Sequence, residues 1–170
     1  MPNEFVIKNG FISQGNSTIN GNLTLNGSLS FSGNPAIDTS WTAYTPTWTS
    51  DGTQPTLGNG VLTGFYKQIG KLVCVRVLFI FGTTSNSGTG TWRFSLPIAA
   101  ASADGVQLPC SLMDNSINWY AGVVNGTFGG NTSYASIITT TSPSGYVSGT
   151  VPFTWAAYDA IMFNGTYESI

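Results

Sequence analysis

The chain has 170 residues, a formal net charge of −2 and only 7% charged side chains, against about 25% in an ordinary globular protein. Five basic residues in all leave no surface for tracking phosphates, which argues against a nucleic-acid partner. With 13% aromatic residues the chain has ample area to bury and is not disordered, and no apolar run is long enough for a membrane-spanning helix, so no membrane insertion is expected.

In chain order, the opening stretch MPNEFVIKNGFI reads as a short apolar arm, with Phe5, Val6, Ile7, Phe11 and Ile12 as candidate contacts to a partner. It lacks the basic-then-apolar layout of a signal peptide, so release from a cell is expected to need another route, such as lysis. A six-residue repeat follows, marked by Gly15, Gly21, Gly27 and Gly33. Within it Leu23 and Leu25 alternate with Asn22 and Thr24, and Leu29 and Phe31 alternate with Ser28 and Ser30. A period of two predicts short strands with one apolar face, and Asn20-Gly21 and Asn26-Gly27 are turn signals. Such strands bury too little area to stand as an isolated ribbon. The repeat is therefore expected to interlock between three copies, with Leu23, Leu25, Leu29 and Phe31 on the shared axis of a β-stalk. The alternative is a meander lying on the main domain.

Asn34-Pro35 is a turn signal, and aromatic residues become frequent from Ser40. The expected division is 1–37 for the arm and stalk, serving trimerisation and docking, and 38–170 for a second domain. In that second part eight apolar runs of strand length recur: TAYTPTWT, GVLTGFYKQIG, KLVCVRVLFIF, TWRFSLPI, GVQLPCSLM, INWYAGVV, YASIITT and PFTWAAYDAIMFNGTY. The breakers between them include Asp51-Gly52, Gly58-Asn59-Gly60, Ser85 to Gly90 and Ser142 to Gly145. No ten-residue helical pattern occurs. The expected fold is all-β, a jelly-roll-like β-sandwich.

The run Lys71 to Phe81 is the best core strand. Val73, Val75, Val77, Phe79 and Phe81 share one face, and Leu72, Cys74, Leu78 and Ile80 share the other, broken only by Arg76. Two apolar faces place this strand at the centre of the fold or against a neighbouring subunit. Arg76 then either marks the subunit interface or reaches solvent at the strand's wet end. Cys74 and Cys110 are expected to stay reduced in a chain that folds in cytosol.

WTAYTPTWT, LGNGVLTGFYKQIGKLVCVRV and WRFSLPIAA together resemble a small β-sandwich module of tailed bacteriophages, over about residues 41–100. Modules of that family occur in trimeric decoration (cement) proteins on capsids and at the tips of tail fibres and tailspikes. The repeat resembles the interlaced stalks that precede such tips. The matching positions, Trp41, Tyr44, Pro46, Trp48, Gly64, Tyr66, Gly70, Trp92 and Pro97, look like fold and trimer determinants, and none corresponds to a catalytic residue. Phe65 and Cys74 depart mildly from the family's pattern.

Histidine is absent, which removes the commonest general base and the commonest zinc ligand. A glycosidase needs only two carboxylates, but Glu4, Asp38, Asp51, Asp104, Asp114, Asp159 and Glu168 show no spacing that implies one cleft. No catalysis, cofactor or metal is expected. Carbohydrate binding fits better, because Trp41, Tyr44, Trp48, Trp119, Tyr120, Trp155 and Tyr158 offer flat apolar faces with polar edges. Core or interface packing is expected for Trp41, Trp48 and Trp92. Trp119 and Tyr120 are the candidate glycan contacts, since neighbours on a strand face opposite ways, with the loop Ser85 to Gly90 as a second place to look.

The resemblance, the short arm and the lack of a shaft or coiled coil imply a homotrimeric capsid cement protein on the outer surface of a virion, assembled in the host cytoplasm. Its partners would be its own copies and the major capsid protein, with weak binding to host-surface glycan as a secondary role. The alternative is the receptor-binding tip of a tail fibre or tailspike.

Overall fold

A computed structural model of the chain describes residues 13–24, 40–115, 117–126, 132–141 and 143–170. The chain divides into two compact units, Met1–Gly33 and Asn34–Ile170.

In the first unit, the described residues 13–24 bend at Gln14-Gly15 and at Asn20-Gly21, and hold no strand. Ile19 and Leu23 are exposed. One chain by itself thus leaves the apolar side of the repeat open at Leu23. The other residues assigned to the stalk and arm, Leu25, Leu29, Phe31, Phe5, Val6, Ile7, Phe11 and Ile12, lie outside the described residues.

The second unit is all-β. Its strands are β1 (Thr42–Tyr44), β2 (Trp48–Ser50), β3 (Val61–Ile69), β4 (Leu72–Ile80), β5 (Trp92–Ser95), β6 (Gln107–Asp114), β7 (Asn118–Asn125), β8 (Tyr134–Thr139), β9 (Gly145–Tyr146) and β10 (Ala160–Glu168). They form one antiparallel sheet in the order β1-β3-β4-β10-β6-β7-β8-β5-β2, with β9 also on β8. The sheet curls far enough that its two end strands, β1 and β2, are joined by only Thr45–Thr47.

Each apolar run holds a strand, with two departures. TAYTPTWT divides at Pro46, which has no N–H to give a ladder, so the residues before it pair with β3 and those after it with β5. The last run starts its strand only at Ala160, because Ala156–Asp159 close a turn in which Asp159 N donates to Ala156 O (3.2 Å). β9 sits at the end of the Ser142–Gly145 breaker, where the turn residues serine, proline and glycine hide a two-residue strand.

β4 is central, between β3 and β10, and its inward set Val73, Val75, Val77 and Phe79 is buried, as is Phe81 just after it. The opposite wall of the curl supplies aromatic rings. Trp48 on β2 lies edge-on to Phe79 and to Trp92, each at 4.7 Å between ring centroids, Trp92 lies 4.9 Å from Trp155, and Phe94 on β5 lies 6.1 Å from Phe163 on β10. Trp92 is completely buried, and its indole N–H donates to Ser87 O at 2.9 Å.

Two glycines are fixed by geometry. Ile69 pairs with Leu72 across a two-residue loop whose first member, Gly70, has φ +59°, the left-handed value a tight hairpin of this kind demands. Gly64 lies directly opposite Tyr44, and an added Cβ there would run into the Tyr44 ring. That contact explains why Tyr44 and Gly64 belong to one motif.

Burial raises the pKa of the Tyr44 and Tyr167 hydroxyls, Tyr167 to about 12, although the Ile98 N–H, donating to the Tyr167 oxygen at 3.4 Å, pulls the other way. Unfolded tyrosines ionise near pH 10, so above that pH the unfolded chain binds fewer protons than the folded one. Stability should therefore be unaffected by these groups below pH 10 and fall as pH rises from 10 towards 12. Urea midpoints across that window test this, and Tyr167→Phe should flatten part of the fall; an equally steep fall in the variant would refute the assignment to Tyr167.

Cys74 and Cys110 are free thiols. Cys110 is buried, and burial pushes its thiol up to about 12.

Candidate functional site

Strand alternation that fills the core with one side of β4 turns Leu72, Cys74, Arg76, Leu78 and Ile80 to the outer side of the sheet. Cross-strand pairing extends this outer face. Phe65 on β3 lies opposite Arg76, which lies opposite Asn164 on β10, and Leu72 lies between Ile69 and Glu168. Trp41, just before β1, joins the same face: the Arg76 guanidinium sits 4.8 Å from the Trp41 ring and 4.7 Å from the Phe65 ring. Two aromatic faces thus brace the arginine while it stays exposed.

No carboxylate among the described residues pairs with Arg76. Glu168 is exposed on the same face and likewise has no basic partner among the described residues. Glu168 is level with Leu72, four residues along β4 from Arg76, a separation of about 13 Å at strand rise. The two charges cannot meet within one sheet. Trp41, expected to pack in a core or interface, is 44% exposed in the single chain, whereas Trp48 and Trp92 are core.

At one end of the outer face a row crosses five adjacent strands: Val61, Ile80, Ala160, Met113 and Trp119 are successive cross-strand partners. Loops rim this row. At the β6–β7 end, Trp119 is 57% exposed beside a recess of about 320 Å³ lined also by Asp114, Asn115, Ile117 and Asn118. The Asn118 side-chain oxygen accepts from Trp119 N (2.9 Å) and holds the start of β7.

At the β3–β4 end, a second recess of about 250 Å³ is lined by Asn59, Val61, Ile80, Thr83 and Tyr158, among others. Tyr158 is 64% exposed, and it is the one non-glycine described residue with positive φ, +75°. Its turn is held from several sides. Tyr158 N donates to Phe81 O and Phe81 N to Asp159 O, both at 2.8 Å, while the Asp159 carboxylate accepts from Ala156 N (2.6 Å) and from Asn115 N (2.9 Å). Asp159 is buried, and it ties the Tyr158 turn to the Asn115 side of the first recess.

No family model, curated protein or solved structure matches the chain.

Of the two candidate glycan contacts, Trp119 faces outward, while Tyr120 turns inward against Phe153 at 5.1 Å between ring centroids. The loop Ser85 to Gly90 is bound into the fold. Thr56 and Asn86 exchange backbone hydrogen bonds at 2.9 Å, Ser85 Oγ donates to Leu57 O, and Thr89 N donates to Thr53 O. Asp51, considered above as a carboxylate candidate, accepts from Thr91 N (2.7 Å) and pairs with Arg93 at 3.6 Å. Among the described residues no three His, Cys, Asp or Glu side chains cluster as metal ligands.

Sequence reasoning named Tyr158 only as one aromatic among seven, and Asp159 only as one carboxylate among seven. The order Tyr-Asp before an apolar run could have flagged a capped turn. Nothing in the sequence shows that Tyr158 takes the left-handed position.

Proposed function

We propose that the chain is a structural subunit of a tailed-bacteriophage virion, a homotrimeric capsid decoration protein whose subunits meet through the outer sheet face. The observation that carries this reading is the outer face of β3, β4 and β10, where Arg76 and Glu168 are exposed, have no ion-pair partner among the described residues and lie too far apart to pair in the same chain. In a closed ring each interface is head-to-tail, so Arg76 of one copy meets Glu168 of the next while Trp41, Phe65, Ile69 and Leu72 leave water. The facing walls of the curl, β4 and β10 against β2 and β5, support the sandwich reading of the same module.

In this reading the arm residues Phe5, Val6, Ile7, Phe11 and Ile12 dock on the major capsid protein, and the Leu23, Leu25, Leu29 and Phe31 repeat locks the trimer. The mechanism is mechanical: area buried across capsomer junctions, at many sites at once, makes detachment slow. The exposed rim with Trp119 and Tyr158 favours a second reading, the receptor-binding tip of a fibre. Copy number separates the two, near one per capsid subunit for cement and a few trimers per particle for a tip.

A charge swap tests the interface. By sedimentation, the unaltered chain should be a trimer, Arg76→Glu and Glu168→Arg should each weaken it by about tenfold or more, and the double variant should recover it. A monomeric unaltered chain, or a double variant no better than the singles, would overturn the pairing.

A further inference from the structure

We infer that the rim of the sheet at the Ile80 end is a binding site for an uncharged oligosaccharide, lying across five strands with one aromatic platform at each end. Trp119 and Tyr158 are both more than half exposed, and each borders its own recess. The row Val61, Ile80, Ala160, Met113 and Trp119 runs between the two recesses: Val61 and Ile80 line one, Met113 and Trp119 line the other, and the buried Ala160 lies between them. Four strand intervals separate Val61 from Trp119, about 19 Å, which is the reach of a short oligosaccharide and not of a single sugar.

The lining chemistry selects the ligand class. Asn59 and Thr83 at one end, and Asn115 and Asn118 at the other, bring amide and hydroxyl groups beside the rings. Flat faces with neutral polar neighbours suit pyranose rings and their hydroxyls. Among the described residues no lysine or arginine lines either recess, and Asp114 lines the first, so an acidic saccharide is disfavoured.

The second observation is the backbone at Tyr158. A left-handed φ costs a bulky residue conformational energy that glycine avoids. Packing does not explain the choice, because the ring is largely exposed. The turn is over-determined by the bonds from Phe81 and Asp159, which hold this ring out at the rim at the expense of local strain. Asp159 is a positioning residue here, since the same carboxylate fixes Asn115 beside the Trp119 recess. The inference does not rest on the Arg76–Glu168 interface, which runs from Arg76 in the middle of β4 to Glu168 at the end of the face away from Ile80.

The test uses the full-length chain on an array of neutral and acidic saccharides graded from monosaccharides to hexasaccharides, with affinities then measured by tryptophan fluorescence. At least one neutral oligosaccharide should bind, and its mono- and disaccharide fragments should bind about tenfold more weakly or worse. Trp119→Ala and Tyr158→Ala should each weaken binding by about tenfold or more. Tyr158→Gly is the sharper variant: it should match or exceed the parent in melting temperature while binding as weakly as Tyr158→Ala. Val123→Ala, at an exposed position of β7 outside both recesses, should bind as the parent does. Binding confined to acidic saccharides, no binding to any neutral one, or full affinity in either Trp119→Ala or Tyr158→Gly would overturn the proposal. A trimer that binds no sugar would refute the rim alone, and a sugar-binding monomer would refute the interface alone.

Discussion

Trp92→Ala should lower the unfolding free energy by about 3–5 kcal/mol, the range for emptying an aromatic core position. Trp92 is fully buried, and its ring contacts Trp48, Phe79, Phe81 and Trp155, which come from three separate parts of the chain. Those neighbours are themselves large rings held edge-on to one another, so they cannot slide into the vacated space without losing their own contacts. The substitution also strands Ser87 O, which accepts the indole N–H and helps seat the loop from Ser85 to Gly90. For a unit of this size the melting temperature should drop by roughly 10–15 °C, read by calorimetry. Trp41→Ala, removing an exposed ring of the same size, should change monomer stability by about 1 kcal/mol or less. A Trp92→Ala loss as small as that would show that the aromatic cluster is not the centre of the core.

Asp159→Asn should cost about 2–3 kcal/mol although it changes the shape hardly at all. The Asp159 carboxylate is 2% exposed and accepts from two backbone N–H groups with different oxygens, Ala156 N on one and Asn115 N on the other. Asparagine has one acceptor oxygen, so its amide NH₂ must face one of those N–H groups, donor against donor. The loss is a charge-assisted bond plus a buried donor left without an acceptor. Hydrogen exchange gives the local readout: the Ala156 or Asn115 amide should lose protection well beyond the global change. A melting temperature within about 1 °C of the parent would mean that the carboxylate does not hold the two loops together.

Strand content was legible because the core uses strict alternation, as in Val73, Val75, Val77 and Phe79, and turn residues punctuate it. Curvature was not legible. Alternation tells which side chains share a face, but the same faces serve two separate sheets or one curled sheet, and only pairing across the whole chain decides. Pro46 is the exception, since a missing N–H does foretell where a strand must change partners. At the rim, Trp119 could be read from its alternation with Tyr120. Tyr158 could not, because its exposure comes from a left-handed turn set by Asp159 and Phe81, and sequence carries no mark of φ. Arg76 was visible as a charge in an apolar strand, but its bracing by Trp41 and Phe65 depends on register between β1, β3 and β4.

The short link Thr45–Thr47 has a kinetic consequence. It joins Tyr44, whose partner is Gly64, to Trp48, whose partner is Phe94, so the same few residues fasten both ends of the sheet. In the folding chain this seam can close only after distant segments have found each other, so the loop-closure entropy is lost before the contacts reward it, and folding should be slow for the chain's size. The reverse step is slow for the same reason: neither end can fray by itself, because loosening β1 strains β2 and the rings beneath it. Longevity of the folded state would then come from the height of that barrier as much as from the depth of the well.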